Sequence, residues 1–135
     1  MSERANLAGL RILVVEDDML IALEIEQTLH DLGCVVIGPV GKLDAAMQIA
    51  DHEGLDAAIL DVNIRGGHVF PVADRLRARG IPFALASGSG DWALPQAFRN
   101  QPRLTKPFTD RDLVAQVRLL CSEASAAGHA GALPA

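Results

Sequence analysis

Apolar residues in this chain fall into short runs that stop abruptly, and between them apolar positions recur at helical spacing. Arg11-Ile-Leu-Val-Val15 ends in Glu16-Asp17-Asp18, and Ala57–Asp61 ends in an acid followed by Gly66-Gly67. Cys34-Val-Val-Ile-Gly38 is punctuated by Pro39 and Gly41, Pro82-Phe-Ala-Leu-Ala86 runs into Ser87-Gly88-Ser89-Gly90, and a brief Arg103-Leu-Thr105 meets Lys106-Pro107-Phe108. These runs predict five strands of a parallel sheet, with those at 34–38 and 57–61 buried. Between them, Ile21, Ile25, Leu29 and Leu32 share one helix face, as do Leu43, Ala46, Met47 and Ala50, and Val69, Phe70, Ala73 and Leu76. Asp18 is placed to cap the first helix, Gly33 to stop it, and Pro71 is tolerable in the first turn of the third. Residues 91–100, interrupted by Pro95, leave room for only a short or kinked helix. Thr109 and Asp112 form a capping box opening a last helix through Leu113, Val117 and Leu120.

Strands alternating with five helical patterns predict an α/β domain, a parallel sheet wrapped on both faces. With right-handed crossovers, every strand's carboxyl end lies on one edge. The predicted organisation is an N-terminal extension over 1–9, one domain over 10–122, and a flexible tail over 123–135, which carries no apolar period long enough for an element.

Composition narrows the function classes. The 135 residues are 50% hydrophobic with a formal net charge of −5 and a pI near 5.2. That is enough for one core, and it gives no general attraction to nucleic acid or anionic lipid. No apolar run reaches the length of a membrane span and Met1–Asn6 lacks a secretory pattern, so the expected location is cytoplasmic. Cys34 and Cys121 share no motif spacing and fit a reducing compartment as core residues. The histidines at 30, 52, 68 and 129 have no ligand spacing and read as solvated or packing groups; only His68, near the Asp61 loop, bears checking.

The shared edge gathers Glu16, Asp17, Asp61, Ser87 and Lys106. Three carboxylates together repel, which is relieved by raised pKa values or a bound cation, and Mg²⁺ suits oxygen ligands combined with phosphate. Asp61 can then attack phosphorus to form an aspartyl phosphate, with Lys106 and the Ser87 hydroxyl receiving the phosphoryl oxygens.

Val14-Val15-Glu16-Asp17, Leu60-Asp61-Val62-Asn63, Ser87-Gly88 and Lys106-Pro107-Phe108 resemble, in order and spacing, the receiver domains of two-component response regulators. The resemblance covers about residues 10–121. It implies a flavodoxin-like fold with strand order 2-1-3-4-5. It further implies Asp61 as phosphoacceptor, Asp17 as a direct Mg²⁺ ligand, Glu16 as a ligand through water, and Asn63 as a ligand through its backbone carbonyl. Ser87 would be the switch hydroxyl, Lys106 would contact the phosphoryl oxygens, and the Lys106-Pro107 bond would be cis. The partners implied are a histidine kinase or histidine phosphotransfer protein and a downstream protein target, without nucleic acid or membrane. With no output domain expected after residue 121, the protein would act through partners or as a phosphate shuttle or sink.

Residues 81–90 and 93–99 are similar to stand-alone receivers with a Phe-Ala-Thr-Gly-x-Tyr fourth strand, although Leu85 and Ser87 replace Phe and Thr and the chain has no Tyr. Arg103 occupies the place of the aromatic that many receivers use as a switch, so the output route would fall to the Ser87 loop and residues 91–100. Two alternatives are a haloacid-dehalogenase-like phosphohydrolase, which would need an acid where Asn63 stands, and a receiver-fold binding module without phosphorylation.

Overall fold

The computed structural model describes residues 7–88 and 94–132, with side chains as far as Ser122. In chain order the elements are β1 (Arg11–Val15), α1 (Met19–Asp31), β2 (Val35–Val40), α2 (Leu43–His52), β3 (Ala57–Asp61), β4 (Asn63–Ile64), β5 (Gly67–His68), α3 (Phe70–Ala78), β6 (Phe83–Ser87), a 3₁₀ turn (Gln96–Phe98), β7 (Arg103–Thr105) and α4 (Asp110–Ala132). Five strands form one parallel sheet in the order β2-β1-β3-β6-β7, while β4 and β5 make a separate antiparallel hairpin. Counting only the main sheet, this is the expected 2-1-3-4-5 order of the flavodoxin-like receiver fold.

Side-chain alternation along the strands builds two cores. Leu13, Val15, Ala58, Leu60, Phe83 and Leu85 pack with Ala46 and Ala50 of α2 and Val72 and Leu76 of α3. The intervening residues Ile12, Val14, Ala57, Ile59, Ala84 and Ala86 pack with Ile25 and Leu29 of α1 and Leu113, Val117 and Leu120 of α4. All five residues of β3 are buried, because this strand has a neighbour on each edge and helices on each face. Both cysteines are free and buried. Burial pushes the Cys34 thiol up and the Cys121 thiol up to about 12, so neither is a reactive thiolate.

Local signals act where expected at both helix starts that border the acidic edge. Asp18 Oδ1 accepts from the Leu20 and Ile21 N–H groups. At α4, the Asp112 N–H donates to Thr109 Oγ1 at 3.1 Å and the Thr109 N–H to Asp112 Oδ2 at 3.0 Å. This reciprocal box satisfies donors that helix geometry leaves open.

Four expectations need correction. First, β2 is not a buried strand, since its place at the sheet edge leaves none of its residues buried, and it does not end at Pro39 but continues to Val40, with a register irregularity opposite Leu13–Val15. Edge position makes the missing Pro39 N–H harmless, and Gly38 is required there: its φ is +107°, and a Cβ would lie 2.9 Å from the Val14 carbonyl oxygen. Second, the turn after Asp61 is a two-rung hairpin, tied to the start of α2 by Leu43 N–H to Arg65 O at 2.9 Å. Third, the segment between β6 and β7 contributes a single 3₁₀ turn among its described residues; positions 91–93 lie outside them. Arg77 holds this turn, its guanidinium 4.6 Å from the Phe98 ring centroid and donating to the Ala97 carbonyl at 3.0 Å. Fourth, α4 runs on to Ala132 through the stretch expected to be a flexible tail. Ala at 124, 126, 127, 130 and 132 supplies strong intrinsic helix preference without an amphipathic period.

Candidate functional site

Strand register decides which side chains meet. Val15 pairs with Leu60, Asp61 with Ala86 and Ser87 with Thr105, so Glu16, Asp61, Ser87 and Lys106 leave four adjacent strands at nearly one level. Lys106 N–H donates to the Ser87 carbonyl at 2.9 Å, which locks the β7 exit to the β6 exit. The Lys106-Pro107 peptide is cis, as expected.

The Lys106 ammonium bridges two acids, 2.9 Å from Glu16 Oε1 and 3.2 Å from Asp61 Oδ2. Glu16 and Asp61 are only 3% and 6% exposed, so solvent screens this charge cluster weakly. Glu16 Oε2 accepts from the Asp18 N–H at 3.1 Å, and Asp61 Oδ1 accepts from the Asn63 N–H at 3.3 Å. Asp17 completes the group: Glu16, Asp17 and Asp61 each offer an oxygen within 4.8 Å of the others. Close approach of the β2 exit makes room for it, since a Cβ on Gly41 would lie 3.1 Å from Asp17 Cα and 3.2 Å from its Cβ. The sequence marks Gly41 as punctuation only; its role beside the acids comes from packing. Ser87 stands half-buried at the end of β6, and a Cβ on Gly88 would make only ordinary van der Waals contact with the Lys106 side chain, at 3.8 Å.

Charges in this group are unbalanced. Burial pushes the Glu16 carboxyl up to about 7, with the adjacent Asp61 adding to the rise and Lys106 and the Asp18 N–H opposing it. Burial works against the Lys106 ammonium, yet the Glu16 and Asp61 carboxylates outweigh it and hold its pKa above the ordinary lysine value. In the absence of metal, the folded chain holds a Glu16 proton that the unfolded chain releases at lower pH. That contribution to stability is present below about 4.5 and lost as pH rises through about 7. Melting temperatures in chelator should fall between pH 5.5 and pH 8, and Glu16→Gln should flatten the fall; an unchanged slope in that variant would assign it elsewhere.

The donor set fits a hard divalent cation. It consists of carboxylate oxygens from two strand ends, without His or Cys, and Glu16 Oε1 is buried without a well-aligned hydrogen bond although Lys106 lies beside it. Asn63 lies next to the group, its backbone tied to Asp61. His68, read from the sequence as solvated or packing, is exposed but bonded: its Nδ1 is 2.9 Å from Asn63 Oδ1.

Around the site, Met19 and Leu20 are 76% and 75% exposed in the first turn of α1. An apolar groove of about 250 Å³ runs from α1 to Lys106, Pro107 and Phe108. No helix among the described residues is long and apolar enough to cross a membrane.

Residues 12–118 match the response regulator receiver domain family. The chain belongs to that family. Among solved structures, this receiver is 42% identical to SdrG from Sphingomonas melonis Fr1, over 83% of this chain and 96% of that one, with a TM-score of 0.73. A 24% likeness, TM-score 0.70, covers 85% of the receiver and 99% of the receiver domain of the sensor histidine kinase PA1611 from Pseudomonas aeruginosa, a structure with magnesium in its active-site cleft. Among curated proteins, the transcriptional regulatory protein PdtaR of Mycobacterium tuberculosis is 25% identical over 116 residues, spanning 83% of the receiver and 57% of PdtaR. The receiver therefore spans little more than half the length of that relative. Family membership establishes a receiver domain of two-component signalling.

Proposed function

We propose that the chain is a Mg²⁺-dependent phosphoacceptor of a two-component phosphorelay, with Asp61 taking a phosphoryl group from a histidine kinase or histidine phosphotransfer protein. The observation that carries this reading is the Lys106 ammonium held between Glu16 and Asp61 at 2.9 and 3.2 Å. A cation fixed beside a buried carboxylate stands ready for the charge of an incoming phosphoryl group.

Asp17, Glu16, Asp61 and the Asn63 backbone carbonyl would hold the metal, Glu16 through water. When bound, Mg²⁺ neutralises negative charge on the acids and on phosphoryl oxygens. The remaining work belongs to the chain. An Asp61 carboxylate oxygen bonds to phosphorus while the bond from phosphorus to the donor's imidazole nitrogen breaks, and the electron pair leaves with the imidazole. Lys106 exchanges its contact with Asp61 for one with a phosphoryl oxygen, and the Ser87 hydroxyl donates to another. Lack of a side chain at Gly88 leaves the group room to arrive.

Its effect would be exerted through protein partners or by shuttling or draining phosphate, and its setting would be cytoplasmic. The exposed apolar side chains of α1 beside the groove at Lys106 support a protein donor, and the net charge of −5 opposes nucleic acid. Arg103, whose guanidinium donates to the Arg99 carbonyl, ties β7 to the chain following the 3₁₀ turn and supplies no swinging aromatic.

Incubation with Mg²⁺ and acetyl phosphate should add a single phosphoryl group, seen by intact mass and absent when the metal is chelated. A chain that stays unmodified under conditions that label an authentic receiver would overturn the proposal.

A further inference from the structure

His68 is exposed, yet its ring is held on two sides. Pairing of Asn63 with His68 across the β4–β5 hairpin brings Nδ1 to 2.9 Å from Asn63 Oδ1. Against its other side lies Phe70, with ring centroids 5.8 Å apart and planes inclined by 33°, and Phe70 itself stacks on Phe98 at 5.0 Å. A carbonyl oxygen can only accept, so Nδ1 carries the proton in this bond, whether the imidazole is neutral or charged.

Asn63 stands two residues beyond Asp61 and on the same side of the chain, because Leu60, Val62 and Ile64 all turn into one core. Its backbone N–H donates to Asp61 Oδ1, and it is exposed where Asp61 is buried. A water approaching a phosphoryl group on Asp61 from the Asn63 side meets the Asn63 carboxamide. That group has one acceptor, Oδ1, able to take an O–H bond from such a water and turn its lone pair toward phosphorus. The His68 bond aims Oδ1 across the hairpin instead.

We propose that His68 is a positioning residue that prolongs the Asp61 phosphate by holding the Asn63 side-chain carbonyl away from the hydrolytic water. This rests on the phosphoacceptor reading of Asp61. In the step that is slowed, the water oxygen bonds to phosphorus, the bond from phosphorus to the Asp61 carboxylate oxygen breaks, its electron pair returns to the carboxylate, and the proton of the water passes to solvent. Freed from His68, the Asn63 carbonyl rotates toward that water and hydrolysis quickens.

The test follows loss of the phosphoryl adduct by intact mass after acetyl phosphate is removed, in Mg²⁺ buffer. His68→Ala should shorten the lifetime by about threefold or more, the scale of one hydrogen bond's influence on a rate. His68→Gln, whose amide N–H still reaches for Asn63 Oδ1, should recover much of it. In an Asn63→Ala background the same His68→Ala change should do nothing, whereas a role in hairpin folding would persist there. An unchanged or longer lifetime in His68→Ala, or an effect that survives Asn63→Ala, overturns the assignment while leaving the phosphoacceptor reading intact. Absence of any adduct in the unsubstituted protein overturns both.

Discussion

Asp61→Asn is expected to abolish the phosphoryl adduct completely and to raise the melting temperature of the metal-free protein. The first effect follows from chemistry: an amide keeps the shape of the side chain but cannot displace a leaving group from phosphorus as a carboxylate does. The second follows from charge. Glu16 and Asp61 share one ammonium with Asp17 close beside them, and Asp61 is among the causes that push Glu16 up to about 7. With Asp61 neutral, Glu16 pairs with Lys106 without a competitor and ionises more readily. A gain of about 1 kcal/mol near pH 8 is the expected scale, equal to relieving roughly one unit of a pKa rise. Intact mass after acetyl phosphate and thermal denaturation in chelator read the two effects from one preparation. An Asn variant that still takes the phosphoryl group would remove Asp61 from its assigned role. One that melts below the parent would show that the Asp61–Lys106 pair outweighs the crowding of acids.

Lys106→Ala acts in the opposite direction on stability. It leaves the Glu16 and Asp61 carboxylates without their shared cation, at sites where the side chains are 1% and 8% exposed. Removing one partner of a buried ion pair costs about 3–5 kcal/mol, because the remaining charge is neither solvated nor compensated. The sign with pH is fixed by Glu16, whose pKa, already raised by burial, climbs further once Lys106 no longer opposes it. The part of the deficit that belongs to Glu16 should therefore be absent at pH 5.5, where Glu16 is protonated, and grow toward pH 8. Urea denaturation at the two pH values checks this, and a deficit independent of pH would mean that Lys106 acts other than through the Glu16 charge. Labelling by acetyl phosphate should also slow by about 10²–10³, the scale of losing one electrostatic contact to the transferring group.

Much of this was readable because the edge residues announce themselves. Each of β1, β3, β6 and β7 ends where an apolar run meets an acid, a Ser-Gly pair or a Lys-Pro pair, and the parallel topology brings those ends together without further information. Asp18 and the Thr109–Asp112 box are local signals satisfied within three residues, so they too were visible. Less visible were features created by contact between distant segments. The β4–β5 hairpin has no alternation to mark it, and its turn is tied through Arg65 to Gly41 and Leu43. Gly41 reads as a breaker until Asp17 is found 3.1 Å from where its Cβ would be. The extension of α4 rests on intrinsic preference, which a search for apolar period overlooks. His68 could be placed near the Asp61 loop from the sequence, but its bond to Asn63 needs the hairpin pairing, which is set in three dimensions.

Burial of every residue of β3 has a mechanical consequence. A strand clamped by two neighbours and two helical layers cannot slide, tilt or twist without opening both cores, so it is the fixed abutment of the molecule. Whatever lands on Asp61 pushes against something that does not give, and the displacement must appear in the chain that leaves the sheet edge. The strand that bears the acid is thus the part least able to report what happens to it.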